Sequence, residues 1–173
     1  MKNVSIDCIK LRGASHSRGH DVQRANTIFA PANVHFVMHR VDVSDTDSNT
    51  WLGTDNAIAV STSCTPTAEE VAAYNGAASL YHVSGTVRAF FVRAIIPASI
   101  DAHNYHPGCG ASTNRMVEVA NNAGGRELAH ELGHILLNAG NSAHSSDAHN
   151  LMADPDPGDQ LTAAQRATIY ANA

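Results

Sequence analysis

The H-E-x-x-H segment at residues 130–134 is the feature that most constrains how this chain can fold. It lies in a stretch, 126–138, whose apolar positions recur with helical spacing and which ends near Gly140. Two histidines four residues apart lie on one face of a helix, so both imidazoles can reach one metal ion. Glu131 points one step further round, where its carboxylate can sit beside a water on that ion without replacing it. The opposite face should enter a core and carries Leu128, Leu132, Ile135 and Leu136.

Two histidines need at least a third protein ligand to form a zinc site. The chain is rich in the commonest metal-binding side chain, with 11 histidines in 173 residues. No glutamate follows Glu131, which excludes the zinc-peptidase arrangement in which a glutamate on a later helix is the third ligand. The third-ligand candidates that remain are His144, Asp147 and His149.

The segment 144–147 (His-Ser-Ser-Asp), followed by Leu151-Met152, resembles the third-ligand segment and Met-turn of the metzincin zinc endopeptidases, and the matrixin branch most closely. The resemblance implies one catalytic Zn²⁺, with Glu131 as base, Met152 as an apolar floor beneath the ion, and His149 and Asp147 as reserve ligands. The zinc ligands it implies are His130, His134 and His144.

The chain departs from the family pattern H-E-x-x-H-x-x-G-x-x-H at two positions. Leu137 stands where the glycine is expected, and Gly140 stands where the third histidine is expected. We expect Gly140 to end the helix one turn later, and the four extra residues before His144 to form a small loop that returns this histidine to the ion.

Strands and helices alternate along most of the chain, which predicts an α/β or α+β layer fold. The run at 86–96 is the most strand-like and should lie centrally, whereas the polar run at 44–50 should be a turn or exposed loop and 98–114 a long irregular loop. The other predicted strands cover 4–11, 34–43, 57–61 and 115–120, and the predicted helices cover 21–30, 67–79 and 126–138, with a last one from 162. Capping boxes open the second and last of these helices.

The resemblance makes this fold more specific. It implies a single zincin-like catalytic domain over residues 1–173, with a twisted mixed sheet, backing helices, an active-site helix, a Met-turn and a C-terminal helix. It also implies an N-terminal subdomain at 1–134 and a C-terminal subdomain at 135–173 that carries the third ligand.

Charge and hydropathy restrict the partners that we expect. A formal charge of −5 argues against nucleic acid and against an anionic membrane surface. No apolar stretch approaches the ~18 residues needed to cross a bilayer, and the first residues lack the apolar core of a signal peptide. The compartment stays open, with export expected if the chain is a mature form. The resemblance implies a peptide or protein substrate, and we expect a monomer.

Three cysteines are too few for a disulfide scaffold, although Cys64 and Cys109 could pair in an exported protein, and Cys8 should be buried in the first strand. His103 and His106 could line the substrate cleft or bind a second ion, but they lack ligand spacing, so exposed loop positions are preferred for both. Asp154, Asp156 and Asp159 could ligate Ca²⁺ but lack the EF-hand pattern, so a solvated turn is preferred. The remaining histidines are expected at surface or satisfied core positions.

The leading hypothesis is a zinc endopeptidase that hydrolyses peptide bonds with metal-activated water and Glu131 as general base. A second hypothesis keeps the fold without proteolysis, as an inactive zinc-binding interaction module. A third is a non-metal globular domain in which the motif at 130–134 arose by chance, and it predicts no stoichiometric zinc and little loss of stability with a chelator.

Overall fold

A computed structural model describes residues 1–61, 63–110, 112–154 and 158–173 of the chain. The strands are β1 (Lys2–Lys10), β2 (Val34–Asp42), β3 (Ala57–Ala59), β4 (Val87–Val92), β5 (Ala94–Ile96), β6 (Ala102–Tyr105) and β7 (Met116–Ala120). They form a five-stranded sheet in the order β2-β1-β4-β7-β6 and a two-stranded sheet of β3 and β5. All neighbours in both sheets run parallel except β6, which is antiparallel to β7 and lies at the edge.

Helices cover both faces of the larger sheet. The helices are α1 (Arg18–Phe29), α2 (Asp45–Leu52), α3 (Ala68–Tyr81), α4 (Glu127–Leu137) and α5 (Ala163–Asn172). One buried cluster joins the sheet to α1, α4 and α5, and a second joins it to α2 and α3. This layered α/β architecture confirms the predicted fold class, and the division into subdomains at residue 134 stays a prediction.

The central strands are buried on both sides, as expected for a parallel sheet with helices on each face. Phe91 of β4 belongs to the cluster with α1 and α4, while its neighbour Phe90 belongs to the cluster with α2 and α3. The run at 86–96 is therefore central, as predicted, but it is not one strand. It breaks after Val92, and β5 then pairs with β3 in the second sheet.

The expectation of a turn or exposed loop at 44–50 is wrong, because this segment begins α2. The Ser44 hydroxyl accepts a hydrogen bond from the Asp47 N–H at 3.1 Å, and acidic residues occupy the first turn, where the helix dipole favours negative charge. Trp51 then packs on Gly76 of α3, where an added Cβ would lie 2.5 Å from the indole nitrogen. Burial of the Trp51 side chain against α3 therefore stabilises a helix that the polar residues at 44–50 do not predict.

The expectation of an irregular loop over 98–114 is also wrong in part, because the segment contains β6. His103 of β6 lies opposite Glu118 of β7, and Asn104 lies opposite Val117. Only four residues long, β6 is ordered by pairing with β7 rather than by its own composition.

The predicted helix at 126–138 is confirmed as α4, but its end differs from the expectation. Asn138, not Gly140, closes the helix in a left-handed conformation with φ of 53°. Asparagine tolerates this conformation because its short polar side chain can bond locally. Here the Asn138 Oδ1 accepts the Gly108 N–H at 2.5 Å, so the cap is also tied to the segment after β6.

Two cysteines form the bridge that the sequence leaves open, and the third is buried as expected. Cys64 and Cys109 form a disulfide, which joins the segment after β3 to the short turn after β6. Cys8 is buried in β1, and burial raises the pKa of its thiol to about 12. A thiol in that environment stays protonated and is a poor metal ligand or nucleophile.

The start of α5 is tied to the turn that holds Met152. Gln165 completes the predicted capping box with Thr162, and its side-chain amide also exchanges two hydrogen bonds with Asn150, at 2.9 and 3.0 Å. The Asn150 Oδ1 in turn accepts the Met152 N–H at 2.9 Å. One glutamine therefore both begins the helix and positions the turn.

None of the helices in the described part of the chain is both long enough and apolar enough to span a bilayer.

We predict that Thr162→Ala destabilises the fold by about 1 kcal/mol, because it removes the hydroxyl that accepts the Gln165 N–H. Urea denaturation measures the change. Thr168→Ala is the matched control, since this exposed threonine lies inside α5, where alanine favours the helix. Equal losses in the two variants would contradict the capping role.

Candidate metal centre

The central helix α4 presents its polar residues on one side and its leucines on the other. The apolar side is at most 2% exposed at each of its residues, Leu128, Leu132, Ile135 and Leu136. His130, Glu131 and His134 are also largely buried, with exposures of 9%, 8% and 4%. The helix therefore buries its apolar face completely and keeps its two histidines and Glu131 just below the surface, as the periodicity of the sequence predicts.

Three imidazole nitrogens converge in this cleft. The Nε2 of His134 lies 3.1 Å from the Nε2 of His130 and 3.2 Å from the Nε2 of His144. His144 follows a short 3₁₀ turn at Asn141–Ala143, which returns the chain toward α4. The four extra residues before His144 thus form a loop of the kind expected from the sequence.

The other ring nitrogen of each histidine, Nδ1, lies close to an oxygen atom. The Nδ1 of His130 lies 2.8 Å from the Leu151 carbonyl oxygen, and the Nδ1 of His134 lies 2.8 Å from that of Ala139. Because a carbonyl can only accept, both Nδ1 atoms carry hydrogen, and the Nε2 lone pairs point at one another. The Nδ1 of His144 lies 3.3 Å from the Asp154 carboxylate.

Such an arrangement is repulsive unless a cation lies between the lone pairs. Burial, and then the neighbouring His130, lower the pKa of His134 to about 4, so a proton does not bind there readily near neutral pH. A donor set of three neutral imidazoles, with the other ring nitrogens held by oxygens, matches the chemistry of a bound divalent metal ion.

Glu131 lies next to the three histidines, and Asn104 holds it. The Asn104 Nδ2 donates to the Glu131 Oε2 at 2.5 Å. Burial raises the pKa of Glu131, although the nearby His130 and the bond from Asn104 oppose the shift. A carboxylate with a raised pKa is suited to accept and release a proton near neutral pH. Asn104 is not among the candidates from the sequence, which predicts an irregular loop where β6 forms.

Met152 packs under the helix, against Gly133. The methionine side chain is fully buried, and a Cβ added to Gly133 would lie only 2.5 Å from its sulfur. The preceding residue, Leu151, supplies the carbonyl that holds His130. The turn therefore provides both an apolar floor and one of the fixed acceptors.

The two reserve candidates lie elsewhere. Asp147 and His149 are both exposed, and the Asp147 Oδ1 accepts the His149 N–H at 3.0 Å within a local turn. Neither belongs to the histidine group. Of the three aspartates considered for Ca²⁺, Asp154 faces His144, Asp159 lies 3.8 Å from Arg24, and Asp156 falls outside the described residues.

A cavity of about 580 Å³ opens over the three histidines. Strand β6 forms one wall through Ala102, His103 and Asn104, and the disulfide lies on its rim. His106 also lines the cavity, so both histidines lie beside the site, which is the alternative to exposed loop positions. His103 is only 17% exposed and is not a loop residue, which corrects the expectation for it.

Comparison with solved structures supports the fold. The structure resembles that of metalloproteinase-II from Bacteroides fragilis, with a TM-score of 0.62, 13% identity, and coverage of 98% of this chain and 52% of that one. The chain thus spans about half the length of that protein. No protein-family model matches the chain, and no curated protein matches it either. At this identity the likeness shows that the chain shares the fold of a metalloproteinase.

Proposed function

We propose that the protein is a zinc-dependent endopeptidase of metzincin type. The observation that carries the proposal is the convergence of three imidazole Nε2 atoms next to a buried glutamate. The His134 Nε2 lies 3.1 Å from that of His130, which is also buried, and 3.2 Å from that of the half-buried His144. The shared fold with a metalloproteinase supports the same class of activity.

The three histidines that would hold the ion are His130, His134 and His144. Three neutral nitrogen donors with an open fourth position are the ligand set of catalytic zinc. When bound, zinc acts as a Lewis acid that acidifies water and polarises a carbonyl. Neutral imidazoles leave the full double charge of the ion available for this purpose.

Glu131 is the general base in this proposal. Its Oε2 is held by Asn104, which leaves Oε1 to take a proton from the attacking water and pass it to the nitrogen of the departing amine. Burial raises the pKa of Glu131 toward the range in which both transfers are favourable. Asn104 fixes the direction in which the carboxylate points.

The substrate in this proposal is an extended peptide or protein segment that pairs with β6. This strand lies at the edge of the sheet, bonded to β7 on one side, while its residues line the cavity. An exposed strand edge offers backbone groups that align a peptide without reading its sequence. The chain works as a monomer, without nucleic acid or membrane, in keeping with its charge of −5.

We predict that Glu131→Gln lowers the rate of peptide cleavage by roughly 10²- to 10⁴-fold while the bound zinc is retained, because the amide cannot accept the proton. Mass spectrometry of an unfolded-protein peptide mixture, digested by each protein at equal metal content, measures the new termini. Intact mixtures with both proteins would favour the inactive zinc-binding module. Equal cleavage by both would contradict the role of Glu131.

We predict that His144→Ala lowers the zinc affinity by more than tenfold, because it removes one of the converging nitrogens. His149→Ala is the matched control, since this exposed histidine lies outside the group. Competition with a fluorescent zinc chelator measures both affinities. Loss of zinc in the His149 variant alone would reassign the third ligand.

A further inference from the structure

A second polar cluster lies on the other face of β6 from the candidate metal centre. It consists of Glu70 of α3, His103 of β6 and Glu118 of β7. Both glutamates are fully buried, and His103 is 17% exposed. The proposed peptidase reaction uses none of these residues.

The fold brings the three residues together from separate parts of the chain. His103 and Glu118 are opposite one another across the antiparallel pair β6 and β7. Glu70 is the third residue of α3 and completes its capping box with Thr67, and it approaches from the helix layer. Because side chains alternate along a strand, His103 faces this cluster while Asn104 faces Glu131.

The ligand atoms of the cluster are close enough to share one ion. The Nδ1 of His103 lies 3.4 Å from the Glu118 Oε2 and 3.7 Å from the Glu70 Oε1. One donor atom from each residue falls within 4.8 Å of the others. An ion among them would need only small adjustments of side chains to bind all three.

The hydrogen bonds around the cluster leave oxygens unsatisfied. The Glu70 Oε2 accepts the Thr67 N–H at 2.6 Å and the Tyr105 hydroxyl at 2.9 Å. The Glu70 Oε1, which faces His103, has no hydrogen-bond partner, and neither does the Glu118 Oε1. A buried carboxylate oxygen without a partner is costly, so each such group in a native structure calls for an explanation.

The charges of the cluster do not balance either. Two carboxylates face one imidazole, which carries at most one positive charge. A positive ion would satisfy both the charge and the free oxygens.

We propose that Glu70, His103 and Glu118 bind a second divalent cation of the first transition row, separate from the ion proposed for the three histidines. Two carboxylates and one imidazole suit Mn²⁺, Fe²⁺ or Zn²⁺ better than Ca²⁺, which takes six to eight oxygen ligands. Access is through the cavity, which His103 lines. The ion joins α3 to β6 and so stiffens the strand that carries Asn104.

Metal counting on the full chain tests this proposal. The protein is stripped with a chelator, loaded with Zn²⁺, freed of excess metal and weighed by native mass spectrometry. We expect two zinc ions in the parent and one in Glu118→Gln, which keeps the shape of the side chain but not its charge. His103→Asn should also hold one, and it replaces the first variant if that one fails to fold. Tyr105→Phe, which removes a hydrogen bond to Glu70 but no ligand, should keep two.

His144→Ala distinguishes the two proposed sites. If both sites bind, this variant keeps one ion, and its combination with Glu118→Gln keeps none. If only the histidine site binds, the parent holds one ion, the His144 variant holds none and Glu118→Gln still holds one, which overturns the second site. If only the buried cluster binds, Glu118→Gln holds none while His144→Ala still holds one, and the peptidase proposal fails instead.

Thermal melting provides an independent readout. The melting temperatures of the metal-free parent and of metal-free Glu118→Gln are measured first, as the two baselines. Zinc should raise the melting temperature of the parent more than that of the variant, because only the parent binds the second ion. An equal gain in both proteins would contradict the proposal.

Discussion

The candidate site depends most on the mutual orientation of three imidazoles whose Nε2 atoms face one another. Each ring is fixed from behind, His130 and His134 by backbone carbonyls and His144 by a carboxylate. Those acceptors belong to the segments that follow α4, so the helix and the chain after it must pack in one register. The apolar face of α4 anchors this assembly to the sheet, which makes the core a precondition for the site.

Local signals made much of the fold predictable. The helical spacing around His130, the two capping boxes and the apolar run of β4 each depend on residues close in sequence. The predictions that are wrong concern segments whose structure is set by contacts between residues distant in sequence. Trp51 fixes α2 by packing on Gly76, β6 is ordered by β7, and α4 ends at Asn138, which bonds to Gly108 rather than continuing to Gly140.

The candidate site shows the same division. His130, Glu131 and His134 could be named from one helical turn, and His144 from a resemblance in the following segment. Asn104 could not be named, because it reaches Glu131 only through the side of β6 on which its side chain lies. Glu118 offered a signal that was overlooked, a single charge inside the apolar strand Met116–Ala120, but its partner Glu70 is brought near only by the tertiary fold.

The tie between Gln165 and Asn150 has a kinetic consequence. The same asparagine accepts the Met152 N–H, and the neighbouring Leu151 carbonyl holds His130, so a continuous path of hydrogen bonds runs from α5 to the histidines. Local opening of α5 therefore loosens one ligand of the proposed ion. The residence time of that ion becomes linked to how often the helix opens, a motion that hydrogen exchange of its amides reports.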